Sequence, residues 1–133
     1  MLIKTSNQLI DEAKARIQEI SVHELANEIG NNHIILIDVR EPDEYAAGHV
    51  DRAINYPRGV LEMRIHQHPE VIAHCDTEAA LAELAQQPIY LICRSGGRSA
   101  LAADALQAMG LQNVYSVAGG FTAWAEASLP TTR

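Results

Sequence analysis

The chain has 133 residues, enough for one domain with its own core. Hydrophobic residues make up 47% and charged residues 20%, an ordinary globular balance, and the net charge of −7 excludes general binding to nucleic acid or anionic membrane. Two cysteines make no disulfide framework, no apolar run spans a bilayer, and Met1-Leu2-Ile3-Lys4 leads into polar residues rather than a secretory leader. Together these point to a reducing cytoplasm, where a thiol stays free.

TSNQLIDEAKARIQEI (5–20) predicts a helix. Thr5 and Gln8 have capping-box spacing, and Leu9, Ala13, Ile17 and Ile20 fall on one face. SVHELANEIG predicts a second helix, with Ser21 and Glu24 as its capping box and Gly30 as its C-terminal cap. HIILIDV (33–39) is a short isoleucine-rich run of the kind that forms a buried strand. EPDEYAAG follows as a short helix with Pro42 in its first turn and Gly48 at its close. AINYP carries a short strand stopping at Pro57, and RGVLEMRI one or two helical turns, while HQHPEVIAHC has no clear period. DTEAALAELAQQ is a helix capped by Asp76, and IYLI (89–92) a second buried strand. GRSALAADALQAMG is a helix with Leu101, Ala105, Leu106 and Met109 expected inward and Gly110 as its stop. NVYSVAGG is a third strand ending in a glycine turn, and FTAWAEASLP a last short helix. Strands alternating with helices imply an α/β fold, a mostly parallel sheet with helices on both faces, extended at the N-terminus by residues 1–20 ahead of a domain over 21–133.

This order puts Cys93 at the carboxyl end of a strand, just before a helix, where open α/β sheets bind ligands. In CRSGGRS (93–99), Gly96 and Gly97 let successive N–H groups turn inward, and Arg94 and Arg98 add full charges. Such a nest favours thiolate over thiol, and the thiolate is itself the nucleophile. The same donors would hold an anionic substrate or transition state. A buried structural cysteine before an ordinary β–α turn is the plain alternative, but an inert thiol needs no cationic cradle.

DVREPDEYAAGHVDRAIN, CRSGGRS and VAGGFTAW, in that order, resemble the single-domain rhodanese family of sulfurtransferases, from about Ser21 to Leu129. The resemblance implies that a Cys93 thiolate takes a sulfane sulfur from a small anionic donor such as thiosulfate. It would hold that sulfur as a persulfide and pass it to a thiol or cyanide, with no metal or organic cofactor. The amides of Arg94, Ser95, Gly96, Gly97, Arg98 and Ser99 would cradle the persulfide, and Arg94 would steer the donor. One departure is Ser95, where thiosulfate-cleaving members carry a basic residue, which implies a weaker rate with thiosulfate. Two other functions stay open. One is a noncatalytic rhodanese module that binds a partner or senses redox state. The other is a Cys-dependent phosphatase or arsenate reductase, whose fold relatives have five residues between the cysteine and the arginine. Here four separate Cys93 from Arg98, a smaller ring that suits one sulfur atom.

Asp38 and Arg40 close the first long strand and read as loop support, a buried carboxylate needing a partner such as Arg98. Arg58, near the expected mouth, is a candidate second anion contact or else a surface arginine. His49 reads as a hydrogen-bonded turn residue in preference to an acid or base. His66, His68, His74 and Cys75 have zinc-compatible chemistry, but their spacing matches no standard site, so no metal is assigned. Cys75 is a resolving thiol or, more simply, a packed cysteine, and Trp124 is core or pocket wall. The apolar stripe of the N-terminal helix packs either on the domain or against a second subunit as a homodimer. A membrane-surface role is disfavoured because the helix is short and not markedly basic.

Overall fold

The computed structural model describes residues 3–133. Five parallel strands form one sheet in the order β1-β5-β4-β2-β3. They are β1 (Gln18–Ile20), β2 (Ile35–Asp38), β3 (Ile54–Asn55), β4 (Ile89–Ile92) and β5 (Val114–Val117). The connecting helices are α1 (Ser6–Arg16), α2 (Val22–Asn31), α3 (Pro42–Ala46), α4 (Leu61–Arg64), α5 (Thr77–Leu84), α6 (Gly97–Ala108) and α7 (Gly120–Glu126). The α/β class predicted from strand–helix alternation is the one observed.

The isoleucine-rich runs become central strands because both their faces are covered. Ile35, Ile37, Ile89 and Leu91 point into one apolar cluster with Leu61, Leu84 and Leu106. Their neighbours Leu36, Tyr90 and Ile92 point into a second cluster with Leu25, Val50 and Trp124. The period of two within an all-apolar run is how a parallel strand builds two cores at once. The Thr5–Gln8 and Ser21–Glu24 capping boxes both form, and the Asp76 side chain accepts from the Glu78 N–H to cap α5.

Three local expectations are corrected. The first helix stops at Arg16, and Gln18–Ile20 pair with Tyr115–Val117 as an edge strand. Ile17 packs on the first cluster and Ile20 on the second. Residues three apart lie on one face of a helix but on opposite faces of a strand, and the free edge of β5 decides for the strand. Gly30 lies inside α2, which ends only at Asn31, with the Asn32 N–H bonded to the Glu28 carbonyl. On α6 the buried residues are Ser99, Ala100, Ala102, Ala103 and Leu106; Leu101 and Ala105 are half-buried and Met109 is exposed. Two neighbours cause this: the sheet takes one side of α6, and α1 packs along it. Arg16 Nε and Nη2 donate to the Asp104 carboxylate at 2.9 and 2.7 Å, and Ala13 is fully buried. The N-terminal helix therefore packs on its own domain.

Candidate active site

β4 delivers Cys93 to the carboxyl end of the sheet, with β5 on one side and β2 on the other. Gly96 takes φ +107°, a left-handed turn cheap only for glycine, and α6 begins at Gly97. The turn aims two helix-entry amides at the sulfur: Gly96 N donates to Cys93 Sγ at 3.1 Å and Ser99 N at 3.3 Å. Ser99 Oγ lies 3.4 Å from Sγ and 2.8 Å from Ser116 Oγ on β5. The cysteine is 1% exposed, the floor of the ring, while Arg94 and Ser95 stand exposed at its rim.

A nest works only if its carbonyls face away. Here α7 holds them: Phe121 N donates to the Cys93 carbonyl at 2.8 Å and Thr122 N to the Arg94 carbonyl at 3.0 Å. Gly120 makes this approach feasible. A Cβ there would lie 2.4 Å from the Cys93 carbonyl oxygen and 2.7 Å from both the carbonyl carbon and oxygen of Arg94. The VAGG segment thus braces the cysteine loop, a role its reading as a glycine turn did not reveal.

The loop's charges are arranged differently from expectation. Asp38 does not pair with Arg98. Its carboxylate accepts from the Arg40 backbone N–H and Nε, both at 3.0 Å, and from Nη2 at 2.8 Å, with both side chains buried. Arg40 Nη2 also donates to the Gly48 carbonyl, and its guanidinium stacks 4.5 Å over the Phe121 ring. Arg98 instead pairs with Glu44 on α3, Nη1 to Oε1 at 2.7 Å and Nη2 to Oε2 at 3.1 Å. The hydrogen bond from Arg98 pulls the Glu44 carboxyl down to about 2. The Arg98 guanidinium is thus a brace between loops rather than a free anion contact, which leaves Arg94 as the loop's exposed cation.

Arg58 enters at the same end of the sheet, its N–H on the Val39 carbonyl, while Val39 N reaches Ile92 O, one residue before Cys93. Its Nη1 is tied to Glu62 at 2.8 Å, and its Nε is buried with no partner. His49 is a turn residue, stacked on Tyr45 with Nδ1 2.8 Å from the Tyr45 carbonyl. Trp124 is core, its Nε1 donating to the Pro130 carbonyl. His66, His68, His74 and Cys75 form no metal-ligand group among the described residues. His68 is buried and accepts the Glu70 N–H at Nδ1, and burial pushes its pKa down. His74 faces Glu83. Cys75 is exposed rather than packed. Neither Glu44 nor Ser116 carries a local signal in the sequence; both are ordinary residues locally and acquire their roles only through distant partners.

The family described as "Rhodanese-like domain" matches residues 21–127. Thiosulfate sulfurtransferase 16, chloroplastic, of Arabidopsis thaliana is 35% identical, over 71% of this chain and 77% of the relative. Thiosulfate sulfurtransferase GlpE of Ectopseudomonas mendocina is 30% identical, over 74% and 77%. A solved Rhodopseudomonas palustris structure, described as a protein of unknown function and a "possible tyrosine phosphatase", has a TM-score of 0.79 and 27% identity, over 99% of this chain and 97% of that one.

Proposed function

The chain belongs to the rhodanese-like domain family, and from that premise we propose that it is a sulfurtransferase with Cys93 as the sulfur carrier. The Cys93 thiolate attacks the sulfane sulfur of a donor such as thiosulfate. The new bond joins Sγ to that sulfur, the donor's S–S bond breaks, and sulfite leaves with the electron pair. The terminal sulfur of the persulfide carries the negative charge. Cyanide or an acceptor thiolate then attacks it, the Cys93–sulfur bond breaks, and the thiolate returns. No metal or organic cofactor enters this balance.

The observation that carries the reading is the convergence of the Gly96 and Ser99 amides on Sγ at 3.1 and 3.3 Å. Donors preorganised around one atom stabilise negative charge there without rearrangement. Exposed Arg94 draws the anionic donor toward the ring. A ring of donors closed on one sulfur atom has the scale of sulfur transfer more than of phosphate.

Incubation with thiosulfate is expected to add about 32 Da, one sulfur atom, to the protein, and a Cys93→Ser variant is expected to lose this gain. Release of phosphate from phenyl phosphate, with no sulfur adduct, would transfer the case to the phosphatase. Absence of both signals would leave a binding or redox-sensing module.

A further inference from the structure

Ser99 and Ser116 are both fully buried, a setting in which a hydroxyl proton without an acceptor is costly. Ser99 sits in the first turn of α6, and Ser116 sits on β5, in register with Leu91 of β4 on one side and Glu19 of β1 on the other. Their oxygens are 2.8 Å apart, and Ser99 Oγ is 3.4 Å from Sγ. No other hydrogen bond of the Ser116 hydroxyl is made among the described residues.

This geometry has a preferred direction. If Ser99 donates to Ser116, the Ser116 proton has nowhere to go. If Ser116 donates to Ser99, its proton is used, and the single Ser99 proton is free to point at the sulfur. A thiolate or the inner sulfur of a persulfide accepts that proton. A protonated thiol instead donates to Ser99 Oγ at 3.4 Å, so the thiol and the two hydroxyls bring three protons to two contacts and one proton is left without an acceptor. The chain Ser116→Ser99→Sγ therefore suits both states of a sulfur-transfer cycle and opposes the idle, protonated one. Hydrogen bonds in series also polarise one another, strengthening the last.

We propose that Ser116 is a positioning residue, whose buried hydroxyl donates to Ser99 and fixes it so that the Ser99 proton is directed at the Cys93 sulfur. The inference rests on the sulfur-transfer reading for its purpose, but its test reads the thiol alone. The charged groups at this end of the sheet are Arg94 and Arg98 on the cysteine loop, Glu44 of α3 on Arg98, the Asp38–Arg40 pair, which reaches α7 through Phe121, and Arg58 with Glu62. Glu19 is exposed on β1, and Asp104 of α6 is held by Arg16 of α1. Substitution of Ser116 removes none of these charges.

The experiment measures iodoacetamide alkylation rate against pH for the full chain in a Cys75→Ser background, because Cys75 is exposed and would also react. Ser116→Thr and Ser116→Val have nearly the same shape and differ in the hydroxyl, and Ser116→Ala checks the loss without added bulk. The valine and alanine variants are expected to react roughly two- to fourfold more slowly, while threonine stays near the parent. Superimposable profiles for the threonine and valine variants, whatever their stabilities, overturn the proposal. The sulfur-transfer reading fails separately, by absence of the 32 Da adduct in the parent protein, and that result leaves the alkylation profiles standing.

Discussion

Gly120→Ala tests whether the cysteine loop is held open from behind by α7. The new methyl would meet the Cys93 carbonyl oxygen at 2.4 Å and the carbonyl carbon and oxygen of Arg94 at 2.7 Å, all backbone atoms. Separations under 3.0 Å essentially never occur for real Cβ atoms, so the loop and α7 must part by about 0.6 Å, the difference between 3.0 and 2.4. Gly120 also has φ +55°, a left-handed conformation that costs a residue with a Cβ roughly 1–2 kcal/mol. Parting weakens the two hydrogen bonds from Phe121 and Thr122 to the loop carbonyls, each worth about 1 kcal/mol. The sum is about 3 kcal/mol, a large share of the roughly 5–15 kcal/mol that stabilises a domain, and corresponds to a melting point lower by roughly 10 °C. Gly119→Ala is the control. Its methyl would strike Ala123 Cβ within α7 at 2.7 Å, with no cysteine-loop atom among its nearest contacts. Both variants lose stability by calorimetry, but only Gly120→Ala is expected to slow Cys93 alkylation, because only there are loop atoms displaced. Equal alkylation rates in the two, or a Gly120→Ala protein that melts like the parent, would refute the bracing argument.

Asp38→Asn leaves the buried Arg40 guanidinium without its countercharge and is expected to cost about 3–5 kcal/mol, measured by urea unfolding; an unchanged midpoint would count against the pair as a support of the site. Glu44→Gln tests the brace to Arg98. The Glu44 carboxyl lies at about 2 in the folded protein against an ordinary 4.5, so on acidification the unfolded chain takes up the proton first. The pair's contribution is whole above about 4.5 and vanishes as pH falls through 2. Since both partners are partly exposed, it is expected to be no more than about 1 kcal/mol. The stability difference between parent and Glu44→Gln should therefore be flat above pH 5 and narrow below it, and a difference that grew on acidification would contradict this.

Neighbouring residues alone were sufficient for much of this molecule. The runs HIILIDV and IYLI are apolar at every strand position except Asp38 at the end of the first, and in a parallel sheet covered on both faces no other pattern is needed. The two capping boxes are complete within four residues, and CRSGGRS carries its own turn and amides, so the position of Cys93 before α6 was legible from the chain. What neighbours could not decide depended on residues brought together from afar. Ile17 and Ile20 fit a helix by spacing, but Gln18–Ile20 became a strand because β5 had an edge to offer. Arg98 looked like an anion contact until Glu44, 54 positions away, neutralised it, and Asp38 took Arg40 because that guanidinium lies against the same strand end. Ser116 and Gly120 matter only for what they face across the fold. Propensity and periodicity are properties of a few consecutive residues, whereas charge pairing, hydroxyl direction and close backbone approach are properties of a packed interior, and only the tertiary structure selects them.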